Sequence, residues 1–140
     1  MENVLTLSFE QHYVTLYFIE KEEIEMNVLS YDQASEIYDE IRILTDRRNP
    51  DDMEFYTEMV KKAVRYANIR AGWMLQTREQ RMENDPSRTS AHDSFINALN
   101  IFSRYQGENG AVWRRKLGDD RKIIGDFACY IALFEAISNR

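Results

Sequence analysis

Cysteine, proline and glycine are all scarce in this 140-residue chain, with one Cys, two Pro and five Gly. A lone thiol, Cys129, closes no intramolecular disulfide, which excludes a secreted disulfide framework. It sits in an apolar run and reads as a small buried hydrophobe rather than a nucleophile. Few Gly and Pro mean few turns, so long regular elements are expected, helices above all. The two histidines, His12 and His92, are too few beside one Cys for an ordinary zinc site. The Glu-x-x-His pairs of a helical di-metal centre are missing. So are a Gly-rich phosphate loop and a Gly-x-Ser-x-Gly elbow. No metal or other cofactor is expected. No stretch approaches the ~18 apolar residues of a membrane span. Residues 1–30 lack the basic start of a signal peptide, and their apolar run from Tyr13 to Ile19 is short. The expectation is a cytoplasmic protein with no membrane contact.

What is present suits one globular domain spanning residues 1–140, with 44% apolar, 30% charged and 12% aromatic side chains. The net charge of −6 is unevenly spread. Residues 1–60 hold 15 acidic and 4 basic side chains, whereas residues 61–140 hold 9 and 14. Such asymmetry fits either two faces with separate partners or two halves that pack together, and the second is the commoner arrangement.

Alternating and β-branched runs in residues 1–30 (Tyr13 to Ile19, then Ile24, Met26 and Val28) predict an antiparallel hairpin, with Leu5, Leu7 and Phe9 as a further strand. The alternative is one helix from Phe9 to about Met26, capped by Ser8. Ser30 and Gln33 form a capping box for a helix to about Asp46, with Ala34, Ile37, Ile41 and Leu44 on its apolar face. Asn49-Pro50-Asp51 ends that helix and starts the next. From Asp52 to about Glu83 the stripe Met53, Tyr56, Val60, Ala63, Ala67, Ala71 and Met74 predicts one long helix. Asn84 to Ser87 is expected as a loop and Ser90 to Tyr105 as a third helix. A turn at Gln106 to Gly110 and a short helical turn around Trp113 follow. Asp119 or Asp120 caps a last helix carrying Ile123, Ile124, Phe127, Ile131, Phe134 and Ile137. The fold expected is mainly α: about four helices in a bundle with a small N-terminal β-hairpin, α+β by strict count.

Polar residues interrupt these apolar faces. The long helix meets Arg78 and Arg81 at the end of its stripe, and Arg70 lies beside it. His92 shares a face with Ile96 and Leu99, with Asp93 one step round and Arg104 further along. Asp126 stands inside the last apolar run, next to Gly125. Gly in a helix interior costs about 1 kcal/mol relative to Ala, so Gly125 points to a close approach. With antiparallel helices, Arg78, Arg81, His92, Asp93, Arg104, Arg121 and Asp126 converge near one end of the bundle. A buried carboxylate needs a cation or several donors. Register-fixing ion pairs are the commoner meaning of such a cluster. The functional alternative is a pocket for a phosphate or nucleotide, bound by Arg78, Arg81, Asp93, Arg104 and Arg121. His92 and Asp126 are its candidate catalytic groups.

The run Arg88-Thr89-Ser90-Ala91-His92-Asp93, then Asp120-Arg121-Lys122-Ile123-Ile124-Gly125-Asp126-Phe127-Ala128 and Arg140, resembles an uncharacterised bacterial family of small, mainly helical proteins. The resemblance spans roughly the second half of the chain. It implies a bacterial or mobile-element origin and a helical fold, and it assigns no activity. Helical ribonucleases of toxin–antitoxin systems carry an Arg and a His with four to six residues between them. Arg88 and His92 have three residues between them, and Arg88 is expected ahead of its helix, so the pair departs from that pattern.

Two acidic pairs at helical spacing, Glu36 with Glu40 and Glu54 with Glu58, suit Mg²⁺ in principle but read as solvated surface. Residues 104–122 are the densest basic region, with Arg104, Arg114, Arg115, Lys116, Arg121 and Lys122 around Tyr105 and Trp113. Basic side chains among aromatics suit single-stranded nucleic acid, although a solvated face or a contact with the acidic half is the simpler reading. The leading expectation is a non-enzymatic protein-interaction module with a protein partner, the exposed aromatics being compatible with a homodimer. A phosphate- or nucleotide-binding pocket or small hydrolase is second, and nucleic-acid binding through residues 104–122 is third.

Overall fold

The structure, a computed structural model, describes residues 29–138. The hairpin expected near the N-terminus, and the helix that is its alternative, lie outside the described residues. Five helices follow one another: α1 (Tyr31–Leu44), α2 (Pro50–Trp73), α3 (Arg78–Tyr105), α4 (Gly107–Leu117) and α5 (Arg121–Ser138). Among the described residues there is no strand, and the helices form an all-α bundle.

Most helix starts follow from side-chain caps. Ser30 accepts from the Gln33 backbone at 3.1 Å while the Gln33 side chain accepts from the Ser30 N–H at 3.2 Å. Asn49 accepts from the N–H groups of Asp51 and Asp52, and Pro50 follows at the first helical position. Asp120 accepts from Lys122 and Ile123 and so opens α5.

The break between the second and third helices lies elsewhere than the sequence suggested. The expected helix to Glu83 stops at Trp73, and the expected loop at Asn84 to Ser87 is helical. Thr77 and Gln80 form a reciprocal capping box that starts α3 ten residues or more before the expected position. Arg81 reaches back to close α2, donating to the carbonyls of Trp73 at 2.9 Å and Met74 at 3.4 Å. Cations are favoured at a helix C-terminus, so one arginine serves both helices. Pro86 is carried inside α3. It offers no N–H to the Met82 carbonyl. Both residues are exposed, so water can satisfy that carbonyl.

The turn expected at Gln106 to Gly110 is also helical, apart from Gln106 itself. Gly107, at φ +70°, redirects the chain straight from α3 into α4. A Cβ at Gly110 would lie 2.0 Å from the Ser103 carbonyl oxygen, so glycine lets the two helices touch backbone to backbone. α4 then buries Trp113 completely, its indole N–H donating to Gln106 at 2.6 Å.

α5 is the axis of the bundle. Eleven of its eighteen residues are buried, and it packs against α1, α2 and α3. A helix apolar on nearly every side is stable only when encased. Phe127, Ile131, Ile124 and Cys129 are buried there, as expected for the thiol. Contact between the acidic and basic halves centres on Lys116, which pairs with Glu36 at 3.4 Å and Glu40 at 3.0 Å. These are the acidic residues considered as a Mg²⁺ pair.

Pro86→Ala is expected to stabilise the protein by about 1 kcal/mol or more, since it restores a helix donor. Gly110→Ala is expected to cost about 2 kcal/mol or more through backbone overlap. Chemical denaturation of both variants measures the two effects.

Candidate anion-binding pocket

Among the described residues the most deeply buried charge is on α5. Asp126 is 1% exposed, and its carboxylate meets the Arg70 guanidinium of α2 at 2.7 Å. Arg70, beside the apolar stripe of α2, is itself only 9% exposed. Gly125 makes this possible. A Cβ there would stand 2.7 Å from Arg70 Nη1 and 3.1 Å from the Tyr66 hydroxyl. The close approach inferred from Gly125 is therefore made by two side chains of α2.

His92 packs edge-on against Tyr66, with ring centroids 4.8 Å apart. Its Nε2 lies 2.8 Å from the Arg121 carbonyl. A carbonyl only accepts, so Nε2 carries the proton and the ring fixes the first turn of α5. Burial holds the imidazole below its ordinary value, opposed by that carbonyl and by Asp93. Nδ1 is buried and makes no hydrogen bond.

Above this floor of Tyr66, Arg70 and His92 opens a cavity of about 260 Å³. Its rim is Arg88 and Thr89 from α3 with Arg121 and Lys122 from α5. Arg88 lies inside α3 rather than ahead of it, because α3 begins so early, and it shares a face with His92 one turn on. Its guanidinium rests 4.8 Å from the Trp73 ring centroid, Nη2 is 3.5 Å from the exposed Asp85, and Nε is buried without a partner. Arg121 gives Nη2 to Asp93 at 2.9 Å. Among the described residues no carboxylate lines the cavity, and those that do line it favour an anion electrostatically.

The expected convergence is thus partial. His92, Asp93, Arg121 and Asp126 do gather at the start of α5. Arg81 instead caps α2. Arg78 and Arg104 are exposed and form no ion pair among the described residues. Arg88, Thr89, Lys122 and Arg70 complete the pocket. In the basic patch at residues 104–122 both aromatic side chains are engaged within the fold. Trp113 is fully buried, and Tyr105 stacks on Phe55 at 4.3 Å while its hydroxyl donates to Asp52.

A second polar cluster lies near the other end of α5. Glu135 Oε2 accepts from the hydroxyls of Tyr38 and Tyr56, each at 2.5 Å, and so ties α1 and α2 to α5. Burial and the carboxylate push both phenols up. Only an acidic residue inside an apolar run hinted at it. Among the described residues, no three His, Cys, Asp or Glu side chains gather to hold a metal. No described helix is long and apolar enough to cross a membrane.

The chain matches no protein-family model, and no curated protein or solved structure is significantly similar to it.

Removing one partner of the buried pair, as in Asp126→Ala, is expected to destabilise by about 3–5 kcal/mol, with the double variant Arg70→Met, Asp126→Leu recovering much of the loss. Urea denaturation of the single and double variants tests this. His92 adds a pH dependence. Its folded value is depressed, so the unfolded chain takes the proton first. Stability is complete above the ordinary value of 6.5 and falls as pH drops through it toward the folded value. Wild type is therefore expected to lose more stability than His92→Gln between neutral and mildly acidic pH, as read from denaturation midpoints.

Proposed function

We propose that this protein is a non-enzymatic protein-interaction module that holds an anionic group of its partner in the basic pocket between α2, α3 and α5. The observation that carries the reading is the Arg88–Trp73 stack, because it joins two surfaces. On one side is the cationic cavity. On the other is the tip of the α2–α3 hairpin, where Met74, Leu75 and Met82 are 38%, 62% and 71% exposed. Cations beside exposed apolar side chains suit a protein surface better than a free small ion.

Binding is favoured over catalysis by the state of the two candidate catalytic groups. Asp126 is buried and paired with Arg70. His92 spends Nε2 on a backbone carbonyl and keeps Nδ1 closed to solvent. Neither is placed to exchange a proton with a ligand in the cavity. The resemblance of the second half of the chain to an uncharacterised bacterial family adds a bacterial or mobile-element origin to the proposal, with the cytoplasm as its setting.

Affinity capture from a bacterial lysate tests it. A specific partner is expected with wild type and should be lost with either Arg88→Glu or Leu75→Asp, both at exposed or half-exposed positions. Recovery of the same proteins by all three would refute the role of this surface.

A further inference from the structure

We infer that the anionic group held in the pocket is a phosphomonoester, carried on a side chain of the partner protein. The inference rests on the pocket reading above and narrows it to one chemistry.

Three observations point this way. First, the donors come from separate directions: Arg88 and Thr89 from α3, Arg121 and Lys122 from α5. A carboxylate has two coplanar oxygens and is satisfied by one arginine fork, whereas a tetrahedral phosphoryl group has three terminal oxygens and needs donors around it. Second, donors remain to be used. Arg121 commits only Nη2, leaving Nε and Nη1 with no hydrogen bond among the described residues. A phosphomonoester also carries about −1.5 to −2 charges at neutral pH, more than a carboxylate or a phosphodiester, which suits a rim of several cations. Third, the cavity is small. At about 260 Å³ it falls below the roughly 300–1,000 Å³ of pockets that enclose drug-sized ligands. It holds a head group on a short stem, not a nucleotide with its base. The apolar tip next to it, joined through Trp73, offers contact for residues flanking the modified side chain.

His92 serves here as a positioning residue. Its bond to the Arg121 carbonyl fixes the turn that presents Arg121 and Lys122. Tyr66 and Arg70 of α2 face it from below, with Asp126 behind Arg70 and Asp93 beside Arg121.

Titration of the full chain with N-acetyl-O-phosphoserine amide, followed by heteronuclear NMR, tests the inference. N-acetyl-glutamate amide, inorganic phosphate and a thymidine phosphodiester dinucleotide are the comparison probes. The phosphoserine compound should bind about tenfold or more tightly than the glutamate compound. Arg88→Gln and Arg121→Gln should each weaken it by about fivefold or more, while Arg104→Gln leaves it unchanged. Thr89→Val, an exposed substitution, should weaken it without altering the fold. Equal binding of the glutamate compound, or indifference to Arg88→Gln and Arg121→Gln, overturns the inference. Tighter binding of inorganic phosphate would mark a free-phosphate site, and tighter binding of the dinucleotide a nucleic-acid site; either also overturns it. If a captured partner is lost with Arg88→Glu yet phosphoserine does not bind, this inference falls and the interaction reading stands. If phosphoserine binds but no partner is captured, the phosphomonoester preference of the pocket stands and its carriage on a partner protein falls.

Discussion

One buried contact organises the bundle: the Arg70 guanidinium against the Asp126 carboxylate, on helices that also meet through apolar side chains and the Tyr56–Glu135 hydrogen bond. Taking two charges out of water costs several kcal/mol per ion, and only close geometry offsets it. The geometry is obtained by deleting a side chain. Gly125 leaves the space into which Arg70 and Tyr66 project. Tyr66 in turn backs the His92 ring, and His92 holds the first turn of α5 by its carbonyl. Register of α2 on α5, orientation of His92 and the directions of Arg121 and Lys122 thus descend from one pair. An apolar pair of similar volume would hold the helices together as well, but it would not leave a cationic floor beneath a solvent-facing rim.

Much of this was readable from residue order where a local rule sufficed. The caps at Ser30, Asn49 and Asp120 bond their own first turns, so each announces a helix without reference to the rest of the molecule. The same logic was available at Thr77 and Gln80 and was outweighed by an apolar stripe continuing to Met74 and by Pro86. Both signals misled. Met74 is exposed, and a proline near the surface breaks one helix bond without breaking the helix. Gly110 looked like a turn residue because glycine commonly is one. Its actual role, contact with the Ser103 carbonyl, depends on a neighbour that only the fold supplies.

The candidate site was legible in composition and not in membership. Asp126 among apolar residues demanded a cation, yet Arg70, Arg78, Arg81, Arg104 and Arg121 were all eligible on pattern alone. Arg70 was the answer because α2 packs against α5 and brings that guanidinium onto the carboxylate. Arg88 was placed outside the helix by the misjudged loop, which hid its one-turn relation to His92. Glu135 showed locally only as an acidic side chain in an apolar run, since its partners Tyr38 and Tyr56 sit 97 and 79 residues away. Long-range polar contacts leave only a single anomalous residue in an otherwise apolar run.

The encased position of α5 also has a consequence for synthesis. A ribosome delivers α1 to α4 first, and for that interval Tyr31 and Tyr38 lack the Phe134 ring they pack against, and Tyr66 and Arg70 lack Gly125 and Asp126. The nascent chain therefore carries an open apolar trough until residues near Ser138 leave the exit tunnel. Chaperone demand during translation should be concentrated in that window, because the segment that completes the interior is the last of the five to emerge.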